Sequence, residues 1–492
     1  MNIIEHRSTR VVPVRHPRSM PAMVTIEMWE RFSFYGMQAI LAYYLYARVG
    51  DGGLGMETHH ATAVVGAYGA FLYLCTFAGG WISDRLLGAE KTLLGGAVAL
   101  VIGHLGLSVI PGYPGLAVGL ILIALGSGFL KTAAITILGG SYPATSGKRS
   151  VGFQYFYLGI NIGAFLGPLL TGWLAVHHGY HVGFGAAAVL MLIGLLSYLR
   201  MRPGMLESLP EEVRGSIRAP AQPLSPAGRV TTLTVTVIAT ALVAGVLGTG
   251  ILPPGMLSHV LLMGTVTVAL VLVLQILRSP QVTAAERRRV VAFLPLALAS
   301  VAFWALQAQI YGVLAVYSDL RLNREVLGWE IPAAWTQSLN PLFILLFTFP
   351  LAYLLSRRGD RDPHASTKMG GGVILAGSAM LILLPFVGGG PGSTPFMALA
   401  LTIAVMTLGE LFIGPVGMAS TSTHAPRAFA TRFSALYFLT IAIGTSAAGS
   451  LSTLYDPTSA TAEARYLLLM GAAAMLIGVV TLGWSRWLRS RA

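Results

Sequence analysis

Long apolar runs recur from one end of this sequence to the other and restrict it to one class of fold. A soluble chain carries about 25% charged residues, but here 10% of the 492 residues are charged and 55% are hydrophobic. Apolar runs of about 18 or more residues can cross a bilayer as helices, and they are too long for the alternating strands of an outer-membrane barrel. The sequence therefore predicts an all-α polytopic membrane protein. We count fourteen spans, at about 20–48, 60–83, 92–111, 115–140, 150–176, 181–200, 229–251, 256–277, 290–318, 331–356, 368–387, 395–423, 428–453 and 464–487.

The basic residues are distributed unequally between the two sides of these spans. With the N-terminus placed in the cytoplasm, 26 of the 32 Lys and Arg residues fall in cytoplasmic segments, four in external loops and two within spans. This bias follows the positive-inside rule, so the net charge of +13 reflects membrane orientation and not a nucleic-acid surface. We expect a multi-pass protein of the bacterial inner (plasma) membrane with both termini cytoplasmic. The basic, polar first 18 residues do not fit a cleavable signal peptide.

The spans fall into groups of six, two and six. A polar stretch at 201–229 follows the sixth span, and a basic run at 287–289 precedes the last six. We therefore predict an N-terminal six-helix bundle at 20–202, an inserted helical hairpin at 228–280 and a C-terminal six-helix bundle at 288–490. The hairpin has no Asp, Glu, Lys or Arg between its flanking arginines, so we expect it to pack on the outside of the bundles.

Five charged side chains lie inside apolar spans: Glu27, Glu30, Arg31, Lys131 and Glu410. An ionised group near the bilayer midplane costs at least ~2.5–3.5 kcal/mol, so such residues mark ion or substrate pathways. The first three follow the spacing i, i+3, i+4, which places them on one face of a helix. Three acids against two bases leave one negative charge, which a single proton could neutralise. This pattern favours a proton-coupled transporter.

Lys131 and Glu410 each lie in the fourth span of a six-span group. Two bundles around a midplane cavity would place such related positions on opposite walls. A cation facing an anion suits a zwitterion, and the terminal charges of a dipeptide or tripeptide are roughly 5–10 Å apart at ~3.5 Å per residue. Short peptides are therefore the predicted substrate.

Several motifs point to the same conclusion. The stretch Glu27-Met-Trp-Glu30-Arg31-Phe-Ser-Phe34-Tyr35-Gly36 resembles the ExxERFxYYG signature of the proton-dependent oligopeptide transporter (POT/PTR) family of the major facilitator superfamily. The stretch at 153–163 is similar to the family's FYxxINxG pattern, and 409–417 is similar to its span-ten segment. Supporting matches are the loop at 79–88, which resembles the superfamily's loop signature, Phe303-Trp304 and the stretch at 337–341.

The resemblance implies a major facilitator fold, with the inserted two-helix hairpin of bacterial members, and import of di- and tripeptides with protons by alternating access. It implies that Glu27 and Glu30 couple protons, together with Arg31 and Lys131, which would face the peptide carboxylate or exchange salt bridges with the glutamates. Glu410 would receive the peptide amino group. The substrate-binding residues implied are Arg31, Tyr35, Tyr73, Lys131, Tyr157, Asn161, Trp304, Gln309, Asn340, Glu410 and Tyr437.

Five positions depart from the family pattern. Phe34 stands where the signature has a tyrosine, and Thr132-Ala133 follows the span-four lysine where Pro-Asn is common. Ala308 replaces the span-seven carboxylate, and Tyr437 replaces the span-eleven tryptophan. The lost acid means that the proton stoichiometry and the external gate of the family do not carry over directly. The changed aromatic residues mean the same for the selection of peptide side chains.

Two other functions stay open: a proton-coupled drug or metabolite transporter on the same fold, and a peptide sensor that binds without transporting. Titratable groups at the membrane midplane favour transport over sensing. No nucleophile–base motif lies within the spans, so an enzyme is not expected, and no cofactor is implied. His177, His178 and His181 fall in a short external loop without nearby carboxylates, so we assign no metal. The expected partners are peptides, protons and the lipid bilayer, with the protein acting as a monomer.

Overall fold

The computed structural model describes residues 16–143, 147–232, 234, 253–326, 328–357 and 363–489, and these residues are almost entirely helical. Six long helices form the first group, and a short helix follows them. Their bounds are α1 Ser19–Tyr46, α2 Thr58–Ile82, α3 Ala89–Val109, α4 Gly112–Gly140, α5 Gly147–His178, α6 Tyr180–Ser208 and α7 Glu211–Arg218.

Glycines let the helices of the first group approach closely. A Cβ atom added at Gly96 of α3 would lie 2.7 Å from the carbonyl oxygen of Gly126 on α4, and one at Gly126 would lie 2.6 Å from the oxygen of Gly96. On another face of α4, a Cβ at Gly128 would lie 2.6 Å from the carbonyl oxygen of Cys75 on α2. Because small residues allow such close contact in membranes, α4 is held firmly between α2 and α3, with Ser127 facing α1.

Salt bridges hold the polar segment after α6 against the first group of helices. Glu90, at the start of α3, is buried and accepts from Nε of Arg202 on α6 at 2.5 Å. Its other oxygen accepts from Nε of Arg218 on α7 at 3.2 Å. A buried carboxylate with two guanidinium partners therefore anchors the linker between the two groups.

The inserted segment contributes one described long helix, α8 Leu257–Arg278. The other helix predicted for the hairpin, 229–251, lies largely outside the described residues. The first turn of α8 and the 3₁₀ turn before it contact both groups: a Cβ at Gly449 would lie 3.1 Å from Cβ of Ser258, and Gly255 lies against His60 of α2. Only 11% of its most apolar stretch is buried, so most of α8 faces away from the protein.

The second group consists of α9 Ala284–Gln307, α10 Val313–Leu320, α11 Leu339–Ser356, α12 Ala365–Leu381, α13 Phe396–His424, α14 Ala430–Ser452 and α15 Ala460–Arg489. A 3₁₀ turn at Ala308–Ile310 interrupts the path from α9 to α10, and another at Ala333–Ser338 leads into α11. Two short strands, β1 Glu325–Val326 and β2 Trp329–Glu330, pair antiparallel between them.

Twelve helical segments among the described residues are long and apolar enough to cross a membrane. Helix α1 is not one of them, although it has 28 residues, because it contains the charged cluster found in the sequence. With 229–251 largely outside the described residues, the count of fourteen stays a prediction.

Five side-chain hydrogen bonds join the two groups, and all lie in the half of the molecule where α1 ends, which we call the closed end. In the part of the chain that the structure describes, no hydrogen bond joins the groups in the opposite half. The five bonds, each written from donor to acceptor, are Tyr43 Oη to Ala315 O (3.2 Å), Tyr46 Oη to Asp319 Oδ2 (2.6 Å), Trp335 Nε1 to Leu169 O (2.9 Å), Gln337 Nε2 to Ala39 O (3.1 Å) and Ser338 Oγ to Phe165 O (2.7 Å).

Candidate binding and coupling site

The charged cluster of α1 forms a compact buried network. Arg31 forms a bidentate pair with Glu30, with Nε facing Oε2 and Nη2 donating to Oε1 at 2.8 Å. Ser127 of α4 closes the network, because its hydroxyl donates to Oε1 of Glu30 at 2.6 Å and accepts from Nη2 of Arg31 at 2.9 Å. Both carboxylate oxygens of Glu30 therefore have hydrogen-bond donors, as a buried carboxylate requires.

Glu27 has a different environment from Glu30. Its Oε1 lies 3.4 Å from Nε of Arg31, one turn further along the helix. Both of its carboxylate oxygens are buried and have no hydrogen-bond partner among the described residues. One carboxylate of the cluster is thus satisfied and the other is not, so Glu27 is the group for which a neutral, protonated form costs least.

Lys131, on α4, stands apart from the glutamates. Its Nζ lies 5.8 Å from the centre of the Tyr73 ring, in reach of a cation–π interaction. Among the described residues no carboxylate lies within 4.0 Å of it, although Glu27 and Glu30 remain within electrostatic range. Lys131 is partly exposed and is available for an anionic group of a ligand.

Glu410 is held by two amides that meet at one of its oxygens. Nδ2 of Asn340 on α11 donates to Oε2 at 2.8 Å, and Nε2 of Gln307 on α9 donates to the same atom at 2.9 Å. Asn340 is itself fixed by Oγ1 of Thr407 at 3.0 Å. Among the described residues nothing donates to Oε1, and that atom is not among the buried unpaired atoms. The carboxylate is therefore oriented with one oxygen open to a cationic ligand.

Tyrosines span the distance between the two charged regions. The ring of Tyr35 on α1 stacks on that of Tyr311 with centroids 6.1 Å apart, one residue from each group of helices. Tyr35 lies within electrostatic range of both Arg31 and Glu410. Tyr73 is also within range of Glu410, and so is Tyr157, which is 44% exposed. Phenol groups that donate and accept thus lie between the opposite charges.

Three residues assigned to the binding site by resemblance use their polar atoms elsewhere, and for a fourth, Trp304, the buried Nε1 has no hydrogen-bond partner among the described residues. Gln309 is 1% exposed, and its Nε2 lies 3.3 Å from the carbonyl oxygens of Ala305 and Ala448. Tyr437 is buried and donates its hydroxyl to the carbonyl of Gly414 at 3.0 Å. Nδ2 of Asn161 donates to its own helix, at Tyr157 O, 2.8 Å away, and Trp304 packs on Phe303 with centroids 5.3 Å apart.

Three residues of the site were not among those found from the sequence: Ser127, Gln307 and Tyr311. The sequence offered a signal for Ser127, which lies four residues before Lys131 and so faces the same side of α4. It offered a weaker one for Gln307, which is next to the position of the lost span-seven acid. For Tyr311 we find none.

The geometry defines two poles on different groups of helices. Arg31 and Lys131 supply positive charge from α1 and α4, and Glu410 supplies an open carboxylate oxygen from α13. A ligand with a negative and a positive end could be bound between them, and Glu27 could take up a proton nearby.

Comparison with known proteins places this chain among transporters. The model of the POT family matches residues 90–468 of the chain, a range that begins after the charged cluster of α1. A di-/tripeptide transporter of Lactococcus lactis subsp. cremoris is 34% identical over 479 residues, which are 95% of this chain and 94% of that protein. An uncharacterized transporter, YclF, of Bacillus subtilis (strain 168) is 34% identical over 473 residues, 95% of this chain and 93% of that protein.

Two solved structures are similar to this chain over nearly its whole length. A mutant of peptide transporter POT in complex with alafosfalin is similar with a TM-score of 0.89 and 34% identity, over 96% of this chain and 95% of that one. A POT family transporter in complex with 5-aminolevulinic acid is similar with a TM-score of 0.88 and 31% identity, over 96% of each chain.

Proposed function

This chain belongs to the POT family, and we propose that it imports di- and tripeptides together with protons by alternating access of its two helical bundles. The peptide would lie between the two poles, with its carboxylate towards Arg31 and Lys131 and its amino group at Glu410. Tyr35 and Tyr311 would flank its backbone.

The observation that carries this proposal is the open oxygen of Glu410. Asn340 and Gln307 both donate to Oε2, which orients the carboxylate while Oε1 keeps its capacity to accept. An ammonium group placed there would form a charge-assisted hydrogen bond, the stronger kind. The opposite pole lies on the other bundle, so a bound peptide would draw the two bundles together.

Proton coupling would be assigned to the α1 cluster. Glu27 has no hydrogen-bond donor among the described residues, whereas Glu30 has three donor contacts from Arg31 and Ser127. Protonating Glu27 would remove its electrostatic contact with Arg31, 3.4 Å away, and so leave more of the positive charge of the guanidinium, then paired with Glu30 alone, to attract the peptide carboxylate. The lost acid at Ala308 leaves this cluster as the site of proton uptake in our scheme.

The conformation fits one state of such a cycle. With the N-terminus in the cytoplasm, as the basic residues indicate, the closed end faces outward, and on the cytoplasmic side no hydrogen bond between described residues joins the bundles. We infer that the structure represents an inward-facing state of a protein in the bacterial inner membrane. Opening outward would require the five closed-end hydrogen bonds to break.

The experiment is uptake of labelled dialanine into proteoliposomes containing the purified protein, with and without an inward proton gradient. We expect accumulation with the gradient, equilibration without it, and proton influx that depends on peptide. Binding of dialanine without any uptake would indicate a sensor, and gradient-driven efflux would indicate an antiporter.

The 5-aminolevulinic acid complex of a similar transporter supports a second candidate substrate class. That ligand also carries an amino group and a carboxylate, so the two poles could hold other small zwitterionic metabolites. Competition of dialanine uptake by a panel of di- and tripeptides and by 5-aminolevulinic acid would rank the two classes.

A further inference from the structure

Three potential metal ligands lie together where α2 begins, far from the charged site. Glu57, His59 and His60 each offer one ligand atom, and these atoms all lie within 4.8 Å of one another. Nδ1 of His59 lies 3.4 Å from Oε2 of Glu57. The two imidazole rings have centroids 4.1 Å apart and are inclined at 48°, so their nitrogen atoms can be directed towards a common point.

These distances are close to those of a zinc site. Zn²⁺ in proteins is bound tetrahedrally by His nitrogen and Glu oxygen atoms at about 2.0–2.1 Å, which places neighbouring ligand atoms about 3.4 Å apart. The separation of His59 and Glu57 already has this value. His60 needs only a small side-chain rotation to complete the set, because no pair of the three ligand atoms is further apart than 4.8 Å.

The inserted segment limits how His60 can move. A Cβ atom added at Gly255 would lie 2.5 Å from Cδ2 and 2.9 Å from Nε2 of His60, so the backbone of Gly255 packs directly against that edge of the ring. The edge with Nδ1 is on the other side of the imidazole. The contact therefore restricts His60 on that side only and leaves Nδ1, on the opposite edge, for coordination.

We propose that Glu57, His59 and His60 form a binding site for a divalent transition-metal ion, with Zn²⁺ as the preferred ion and water at the fourth position. Two imidazoles and one carboxylate are a ligand set suited to Zn²⁺ and unsuited to Mg²⁺ or Ca²⁺, which prefer oxygen. The site lies at the closed end, next to the first turn of α8, and is separate from the peptide site.

The test is calorimetric titration of ZnCl₂ into the full-length protein in detergent, prepared without a histidine tag. We expect one Zn²⁺ per chain, and at least tenfold weaker binding in each of His59→Asn, His60→Asn and Glu57→Gln. Two single-histidine controls at exposed positions, His177→Asn and His364→Asn, should bind as the unmodified protein does. Since the readout is binding, it does not depend on the proposed peptide transport.

Co²⁺ provides a second measurement, because its visible absorption distinguishes tetrahedral from octahedral coordination. We expect a tetrahedral spectrum that His59→Asn abolishes, with the unfolding temperature of the metal-free variant unchanged. The proposal is overturned if the unmodified protein does not bind Zn²⁺ in the micromolar range. It is equally overturned if the three variants bind as tightly as the two controls.

Discussion

The hydroxyl of Ser127 donates a hydrogen bond to Oε1 of Glu30 across 2.6 Å, from one transmembrane helix to another. The same hydroxyl accepts from Arg31 at 2.9 Å. Ser127 thus links the charged pair of α1 to α4, the helix that also carries Lys131. A rearrangement of the pair on proton uptake would be transmitted to α4 through this bond.

Replacing Ser127 with Ala should impair coupled transport. A hydrogen bond to a charged group contributes about 1.5–3 kcal/mol, so we expect gradient-driven accumulation of dialanine to fall roughly tenfold or more. The matched control is Ser33→Ala, since Ser33 is also buried but donates to the backbone carbonyl of Glu30 at 2.9 Å. Uptake in proteoliposomes should be near normal in the control, and an equal loss in both variants would argue against a role for the link.

Changing Glu27 or Glu30 to Gln should weaken concentrative uptake more than counterflow exchange. Exchange need not move a proton, whereas accumulation must. The two carboxylates share Arg31 as their charged partner, so both variants should lose gradient dependence. Initial rates of both processes in the same vesicles are the measurement, and a parallel loss of both would indicate a structural role for the cluster.

Replacing Lys131 with Ala should abolish gradient-driven uptake while leaving expression intact. Lys131 provides positive charge that offsets the glutamates, and removing one partner leaves a buried charge uncompensated, which is costly. Lys91→Ala, at an exposed position at the start of α3, is the matched control and should accumulate peptide normally. Accumulation at the unmodified level in Lys131→Ala would contradict this role.

Acetylating the amino terminus of the peptide should cost affinity through Glu410. A carboxylate left opposite an uncharged group corresponds to a truncated charge pair, worth about 2–5 kcal/mol, or roughly 30-fold or more in affinity. In Glu410→Gln, free peptide should bind more weakly, and acetylated peptide should be discriminated against much less. Competition binding constants for the four combinations give the coupling energy.

The same cycle at Glu27 is the control for Glu410, because Glu27 lies at the opposite pole. There, the effects of Glu27→Gln and of acetylation should add. If the effects also add for Glu410, its open oxygen does not receive the amino terminus.

Tyr46→Phe should shift the protein towards the outward-open state. The hydroxyl of Tyr46 donates to Oδ2 of Asp319 across the bundles at 2.6 Å. Because this bond is partly exposed, we expect an effect of about 1 kcal/mol, or about fivefold in the population ratio. Spin labels at Val49 and Leu454, at the closed end of each bundle, would report it as a larger population of long distances.

Tyr317→Phe is the control for Tyr46→Phe. Tyr317 loses a hydroxyl contact of similar length, 2.8 Å to Thr394, but within one bundle. Its distance distribution should match that of the unmodified protein, and a similar shift in both variants would mean that general destabilisation is being measured.

The prediction of a helical membrane transporter of the POT family is confirmed. It could be made from the sequence because long apolar runs and the charged motif of α1 are local signals. The spacing i, i+3, i+4 places Glu27, Glu30 and Arg31 on one helical face whatever the rest of the chain does. The residues that contact these charges from other helices were harder to find, since such contacts depend on how the helices pack.

The span-seven glutamines show this limit. The family pattern led to Gln309, but Gln307 is the residue that contacts Glu410. Two residues along an α-helix correspond to a rotation of about 200°, so both cannot face the same cavity. The α-helix also ends at Gln307, and a 3₁₀ turn follows it. No periodic pattern in the sequence predicts this change.

At the closed end, four of the five hydrogen bonds between the bundles end on backbone carbonyl oxygens. Every residue type supplies that acceptor, so a substitution at Ala39, Phe165, Leu169 or Ala315 does not by itself remove it. The donors Tyr43, Trp335, Gln337 and Ser338 have no such freedom. As related sequences diverge, the acceptor residue in each of these contacts can therefore change while the hydrogen bond is kept. Sequence conservation at the acceptor positions will not reveal that they help to hold the closed end together.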